Sequence, residues 1–307
     1  MKWKKLGKVW SAKSVLSWGA MGTLTPTPII LCPGIIRVYC GIRDEFGVAR
    51  IGYFEVEESN PTKSINYSKF PVLELGKPGA FDDNGMLLGD FFVCGDEIRM
   101  YYVGFQLGVK AKFLAFGGMA VSKDGGNNFL RYADFPVMDR DDKGLFIRAI
   151  HSIRRLENGT YRAWYSEGST WEIINGKPFP NYNVATIDSP DGLTFSRNLG
   201  TKIELELPGE YRLGRSRVFS LSDEKHILTF TYGKTNGEYC SGYAVSNDLK
   251  TWVRKSDFGL SPGPDEFDSK HLAYPALIKV SNGSVYCFYN GNDMGAGGIG
   301  VAELLSY

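Results

Sequence analysis

The chain has 307 residues, with 35 Lys+Arg against 34 Asp+Glu, 37 glycines and five cysteines. A net charge of +1 excludes a global attraction to nucleic acid or an anionic membrane, and 43% hydrophobic residues exclude a disordered chain. Aromatic residues at 14%, with the glycine excess, favour short strands and tight turns over helices.

In chain order, residues 1–22 start basic but are interrupted by Lys8 and Lys13, without a clean apolar run before a small-residue cleavage site. The segment does not read as a signal peptide. No stretch reaches the roughly 18 uninterrupted apolar residues that a membrane span needs. Beyond it a pattern recurs: IRVYCG (36–41), IRMYYVG (98–104), YRAWYSEG (161–168), HILTFTYG (226–233) and VYCFYNG (285–291). Aligning Tyr39, Tyr101, Trp164, Phe230 and Phe288 gives spacings of 62, 63, 66 and 58. Each of these segments follows an apolar one (TPTPII, GMLLGDFFV, IRAIHSI, RSRVFSL, HLAYPALI) and precedes a third strand such as ARIGYFEV or GYAVSNDLKTW. Three third strands close on Ser-x-Asp and an aromatic: Ser122/Asp124/Phe129, Ser189/Asp191/Phe195 and Ser246/Asp248/Trp252. Short polar side chains bond their own backbone, so these Asp residues read as turn formers.

A unit of about 62 residues written five times, with strand periodicity throughout, predicts an all-β fold. We expect a five-bladed β-propeller of four-stranded antiparallel blades, the innermost strand first and the outermost last, in a single domain over 1–307. Cys32, Cys40, Cys94, Cys240 and Cys287 are odd in number, widely spaced and mostly in strand-like runs. This suggests buried reduced thiols in a cytoplasmic protein. With three histidines and no CxxC pair, neither a metal nor another cofactor is expected.

The site of a propeller is the funnel where its innermost strands converge. Polar residues near that axis are Asp82 and Asp83 in AFDDNG, Arg148 and His151, Arg215 and Arg217, and Asp268, His271 and Tyr274. The turns after the second strands add Arg43, Glu167, Asn290, Asn292 and Asp293. Glu167 sits among aromatic residues, an environment that raises a carboxyl pKa towards that of a general acid. Trp171, with Trp18, Tyr182 and Tyr274, offers an apolar face of the kind a sugar stacks on. The arginines suggest an anionic sugar or phosphate group, because a guanidinium binds such oxygens in a fork.

GAFDDNG, the Ser-x-Asp-Gly turns, FDS…HLAYPAL and FYNGNDMGAGGIGVAEL together resemble the five-bladed propeller glycosidases. These comprise glycoside hydrolase families 43, 32, 68 and 130, and most of all the glycosidase-like propellers encoded with bacterial surface-polysaccharide genes. The resemblance spans roughly residues 20–305. It implies an oligosaccharide ligand and carboxylates converging on the funnel: Asp82 or Asp83 as base or nucleophile, Glu167 as acid, Asp268 as an orienting group. The sequence departs from families 43 and 32 at Thr25-Pro-Thr-Pro28, where they usually carry Asp-Pro, and it lacks their Glu-Gly-Pro or Glu-Cys acid motif. A carbohydrate-active enzyme (glycosidase, transferase or phosphorylase) therefore stands beside a non-catalytic carbohydrate-binding propeller. A sialidase-like enzyme, suggested by SKDGGNNF, stands third. Nothing in the sequence sets the oligomeric state.

Overall fold

The computed structural model describes residues 1–195, 202–255 and 257–307. It is all-β, built from β-branched and aromatic segments that alternate with glycine-bearing turns. After β1 (Lys2–Trp10), the first antiparallel run comprises β2 (Gly22–Cys32), β3 (Ile35–Arg43), β4 (Ala49–Glu57) and β5 (Asn60–Tyr67). The second comprises β6 (Met86–Cys94), β7 (Glu97–Leu107), β8 (Phe113–Ser122) and β9 (Leu130–Arg131), and the third β10 (Ile147–Arg155), β11 (Tyr161–Ile174), β12 (Lys177–Ser189) and β13 (Lys202–Ile203). The fourth run holds β14 (Glu210–Ser222), β15 (Lys225–Lys234), β16 (Tyr239–Ser246) and β17 (Val253–Lys255). The last holds β18 (Ala273–Lys279), β19 (Val285–Asn290) and, after the short helix α1 (Asn292–Gly295), β20 (Ile299–Ser306).

In this last run the expected order fails. Its fourth strand is β1, which pairs antiparallel with β20 from Lys2↔Ser306 to Trp10↔Ile299. The N-terminal segment therefore closes the C-terminal sheet. Trp10 lies between the last run and the first, stacked on Phe54 at a centroid distance of 5.0 Å and buried with Ile278, Phe288 and Ile36.

The first strands pack against one another in the order β2, β6, β10, β14, β18, and β18 returns to β2. Short parallel bridges, Ile147↔Ala115 and Tyr182↔Arg212, join the second, third and fourth runs. The repeated aromatics Tyr39, Tyr101, Trp164, Phe230 and Phe288 are all fully buried, as the spacing predicted. The cysteines are a partial correction. All five are free, but only Cys40 and Cys287 are buried, while Cys32 and Cys94 lie exposed at strand ends. Among the described residues no helix is long and apolar enough to cross a membrane.

Trp10 supplies a test of this closure. Trp10→Ala leaves a cavity between two sheets and should cost about 3–5 kcal/mol, read from urea unfolding. A loss below about 1 kcal/mol would mean that β1 does not hold the last run to the first.

Candidate functional site

The innermost strands share an irregularity that decides what reaches the axis. In all five, the pairing with the second strand breaks at the same level: at Leu24/Thr27, Leu88/Asp90, Ile150/Ser152, Gly214/Arg217 and Ala273/Ala276. Such bulges redirect side chains and free backbone groups from the ladder. Three carry a non-glycine residue at positive φ, Thr25 (56°), Arg215 (57°) and Tyr274 (58°), each a strain of about 1–3 kcal/mol. The second uses Gly89, where any Cβ would lie 2.2 Å from the Ile150 carbonyl oxygen.

The freed carbonyls are met by arginine. Arg215 donates to the Leu88 carbonyl, to the Thr25 carbonyl at 3.2 Å and to Thr27 Oγ1 at 3.1 Å. Arg217 donates to the Gly89 carbonyl at 2.8 Å and to Asp90 Oδ1 at 3.1 Å. Asp90 Oδ2 in turn accepts Ser152 Oγ at 3.0 Å, the Ile153 amide at 2.9 Å and Arg154 Nη1 at 3.0 Å. Burial opposes the Asp90 carboxylate, but the Arg217 and Arg154 guanidinium groups outweigh it and hold its pKa below the usual range. Burial lowers Arg215 to about 9, with Arg217 beside it acting the same way. His151, at the third bulge, bonds Ser166 Oγ at 2.9 Å; burial and then the two arginines push its pKa well down, so it is neutral.

These contacts revise the sequence reading of the arginines. Arg215 and Arg217 are buried and bonded across the ring. Arg148 is likewise buried, donating to the Asp139 carbonyl at 2.7 Å, pairing with Asp141 at 3.3 Å and lying over the Tyr165 ring. Their number therefore does not argue for an anionic ligand.

The proposed carboxylates follow a second recurring device. Asp82 is fully buried, its Oδ2 accepting Tyr102 OH at 3.0 Å and Arg131 at 2.8 and 2.9 Å. Asp268 is also fully buried, its Oδ2 accepting Tyr289 OH at 3.0 Å and Lys5 Nζ at 2.7 Å. Each follows a phenylalanine stacked on that tyrosine, Phe81 on Tyr102 and Phe267 on Tyr289. Glu210 accepts Arg254 at 2.7 Å, and Glu167 accepts Tyr165 OH at 2.7 Å and Lys202 at 2.9 Å. In all four, the cation stands on the outermost strand opposite an alanine of the third: Arg131↔Ala120, Lys202↔Ala185, Arg254↔Ala244 and Lys5↔Ala302. The alanine leaves room for the long side chain to reach inward. These carboxylates tie the outer edge of a sheet to its inner part.

The remaining sequence candidates divide. Asp83 accepts the Gly79 amide and Asn84 Nδ2, both at 2.8 Å, and shapes its turn. Asn290 is fully buried: Oδ1 accepts the Thr25 amide at 2.6 Å, and Nδ2 donates to the Thr23 carbonyl at 2.6 Å, joining the last run to the first. Asn292 bonds the Lys270 and His271 amides and the Glu266 carbonyl, clamping two loops, while exposed Asp293 pairs with Lys270 at 3.2 Å. Trp171 packs in an aromatic wall with Phe146 (4.7 Å) and Phe113 (5.6 Å). His271 accepts the Met294 amide at 3.3 Å.

Tyr274 interacts electrostatically with Arg43 and with Tyr182, also a sequence candidate, in the company of Arg212, Tyr211 and Tyr239, which the sequence did not single out. At the end of the axis where the first strands begin, Tyr239 OH donates to Tyr274 OH at 3.0 Å. Arg212 lies over the rings of Tyr239 (4.7 Å) and Tyr211 (5.0 Å), and opposite Tyr182 in the β12–β14 bridge. Gly214 makes room: a Cβ there would lie 2.6 Å from the Tyr182 ring. Leu24 and Leu87 pack against Tyr274 and Tyr239. Arg43 donates to the Met294 carbonyl at 3.4 Å. The sequence signal for Arg212 was its place one residue after Tyr211 and two before the LGRSRVF segment's Gly214, and the neighbouring arginines masked it.

With this geometry, three comparisons take on meaning. No family model matches the chain. An uncharacterized protein of Mycobacterium tuberculosis (strain ATCC 25618 / H37Rv), Rv1502, is 27% identical over 305 residues, covering 99% of both chains. Among solved structures, a glycoside hydrolase superposes with a TM-score of 0.75 at 14% identity, covering 99% of this chain and 92% of its own. A thermostable family-43 glycoside hydrolase superposes at 0.65 and 16%, covering 95% and 92%. The fold is thus that of the glycosidase-like propellers, as the sequence resemblance indicated; at these identities the likeness is one of fold.

Two predictions follow from the buried charges. Arg131→Met strands the Asp82 carboxylate and should cost about 3–5 kcal/mol in urea unfolding, whereas adding Asp82→Leu should recover much of that loss. If the double variant were as unstable as the single, the pair would not be the relevant contact. His151 has a folded-state pKa depressed below its unfolded value, so its contribution is complete above pH 6.5 and is lost as pH falls below it. Stability should therefore decline from pH 7 to 5, with His151 contributing up to about 1.4 kcal/mol per pH unit. His151→Asn should flatten that slope to what His226 and His271, also depressed by burial, still contribute. An unchanged slope would show His151 to be protonated in the folded protein.

Proposed function

We propose that the chain is a single-domain, five-bladed β-propeller that recognises a carbohydrate at the mouth of its axis, without the paired carboxylates of a glycoside hydrolase. The five antiparallel runs are its blades, and the cyclic packing of their first strands supports that count. One observation carries the functional reading. Asp82 and Asp268 have no exposed surface, Glu167 is 7% exposed and held by Lys202 and Tyr165, and Asp83 is bonded into its turn. Glycosidic cleavage needs two carboxyl groups flanking the sugar, about 5 Å apart for retention or 6.5–9.5 Å for inversion. Carboxylates enclosed within separate blades cannot flank a ligand. The mouth instead offers the half-buried rings of Tyr182 and Tyr239 with Arg212, an arrangement of apolar faces and polar edges suited to a sugar ring, while buried Tyr274 holds Tyr239 through its hydroxyl. The fold's likeness to glycoside hydrolases supports carbohydrate as the ligand class.

The test is a glycan array followed by titration of the best ligand. Tyr239→Ala should weaken binding about tenfold or more, as removal of a stacking ring does at other recognition sites, and Glu167→Gln should leave it unchanged. The same protein should release no nitrophenol from a panel of nitrophenyl glycosides. Turnover in the wild type that Glu167→Gln abolishes would overturn this reading in favour of the hydrolase.

A further inference from the structure

Arg212 is a cation without a counter-ion. Its guanidinium stacks on Tyr211 and Tyr239, its Nε is buried with no hydrogen-bond partner, and no carboxylate pairs with it among the described residues. Elsewhere Arg131 has Asp82, Arg254 has Glu210, Arg217 has Asp90 and Lys5 has Asp268, while Arg215, which also lacks an acid, spends its donors on two carbonyls and Thr27 Oγ1. Arg43 shares the exception. Its Nε is also buried without a partner, its guanidinium makes one hydrogen bond among the described residues, the long one to Met294, and the adjacent Asp44 turns away to Arg50 at 2.8 Å. Both guanidinium groups act electrostatically on the hydroxyl of Tyr274, whose own partner is Tyr239.

Burial opposes the charge of Arg212, and its electrostatic neighbours are Tyr182, Tyr239, Tyr211 and Tyr274, whose phenols are neutral near pH 7 and supply no counter-charge. Arg212 also lines a cavity of about 700 Å³ with Tyr211, Phe179, Lys177, Lys234 and Glu238; Arg43, Tyr182, Tyr239 and Tyr274 do not line it. A buried charge left unpaired is costly, and an anion that supplies the missing partner recovers that cost.

Building on the carbohydrate reading above, we infer that Arg212 and Arg43 form an anion-recognising subsite at the mouth, which takes a carboxylate or phosphate group carried by the sugar. The planar forks of the arginines suit either anion, and the tyrosine hydroxyls can donate further bonds to it. The neutral part of the sugar then lies against the rings of Tyr239 and Tyr182.

The experiment has two arms, each on the full chain at constant ionic strength. In the first, inorganic phosphate, glucuronate, glucose 6-phosphate and glucose are titrated against thermal unfolding, with chloride as the reference. The charged probes should raise the unfolding temperature saturably and glucose should do so at least about tenfold less potently. Arg212→Gln and Arg43→Gln should each abolish the difference, and Arg212→Lys, which keeps the charge but loses the fork, should retain part of it. In the second arm the wild type is applied to an array of uronate-bearing, phosphorylated and neutral glycans. Preference for uronates identifies a carboxylate ligand, and preference for phosphorylated glycans a phosphate; either supports the subsite. Charged probes no better than chloride, or shifts that survive Arg212→Gln, would overturn it. Binding of neutral glycans alone would overturn the subsite but keep the carbohydrate reading. A phosphate response with no glycan bound would do the reverse.

Discussion

Everything at the centre of this molecule depends on one constraint: innermost strands that bulge towards a common axis release backbone carbonyls that must find donors. A buried carbonyl without a partner costs free energy comparable to a lost hydrogen bond, and no water-sized gap separates Gly89 from the Ile150 backbone. Arginine solves this because one planar group carries five donors. Arg215 joins the fourth run to the first and second, and Arg217 joins it to the second. Through Asp90 the bonding continues to the third run, and Thr229 Oγ1, donating to the Pro275 carbonyl at 2.7 Å, links the fourth to the last. Asn290 completes the circuit back to the first.

This solution has a consequence for chemistry. On the axis the Asp90 carboxylate is fully engaged, bonding two arginines, a serine and an amide. Near the start of the inner strands a second group gathers, with Tyr274 bonded to Tyr239. There the positive φ of Arg215 and Tyr274 is informative: the same bulge that turns Arg215 into the axis turns the Tyr274 ring towards Tyr239. Strain at an inner strand thus serves closure in one blade and the mouth in another.

Most of the architecture was legible in the sequence, because the buried aromatic of each second strand recurs at a spacing set by the size of a sheet. Tyr39, Trp164 and Phe288 mark their strands by hydrophobicity alone, which burial enforces. The role of β1 was not legible: its apolar residues Trp3, Leu6 and Trp10 are separated by lysines, and only pairing with β20 makes sense of that alternation. The site was legible only in outline. Asp82 and Asp268 stand near the axis in the sequence, but whether a carboxylate faces solvent or the cation of an outer strand depends on Arg131 and Lys5, which are 49 and 263 residues away. Sequence patterns carry strand direction well; they do not carry the side to which a bulge sends the next residue.

Repetition itself separates scaffold from function. Asp82 and Asp268 occupy matching places in two units, each after a stacked phenylalanine and each bound to a second-strand tyrosine and an outer-strand cation. A feature written into several blades answers a need that every blade has, namely to hold its outer edge to its inner part. A catalytic group has no reason to recur in this way, because one substrate at one mouth is asymmetric. The residues without such counterparts are the ones to weigh. Arg212 faces Gly233 of the second strand, and the residues that face the corresponding Gly41, Gly104 and Gly168 are Leu24, Met86 and Ile147, none of which carries a charge. Within its own sheet the charge of Arg212 is met by the rings of Tyr211 and Tyr239 and, among the described residues, by no carboxylate.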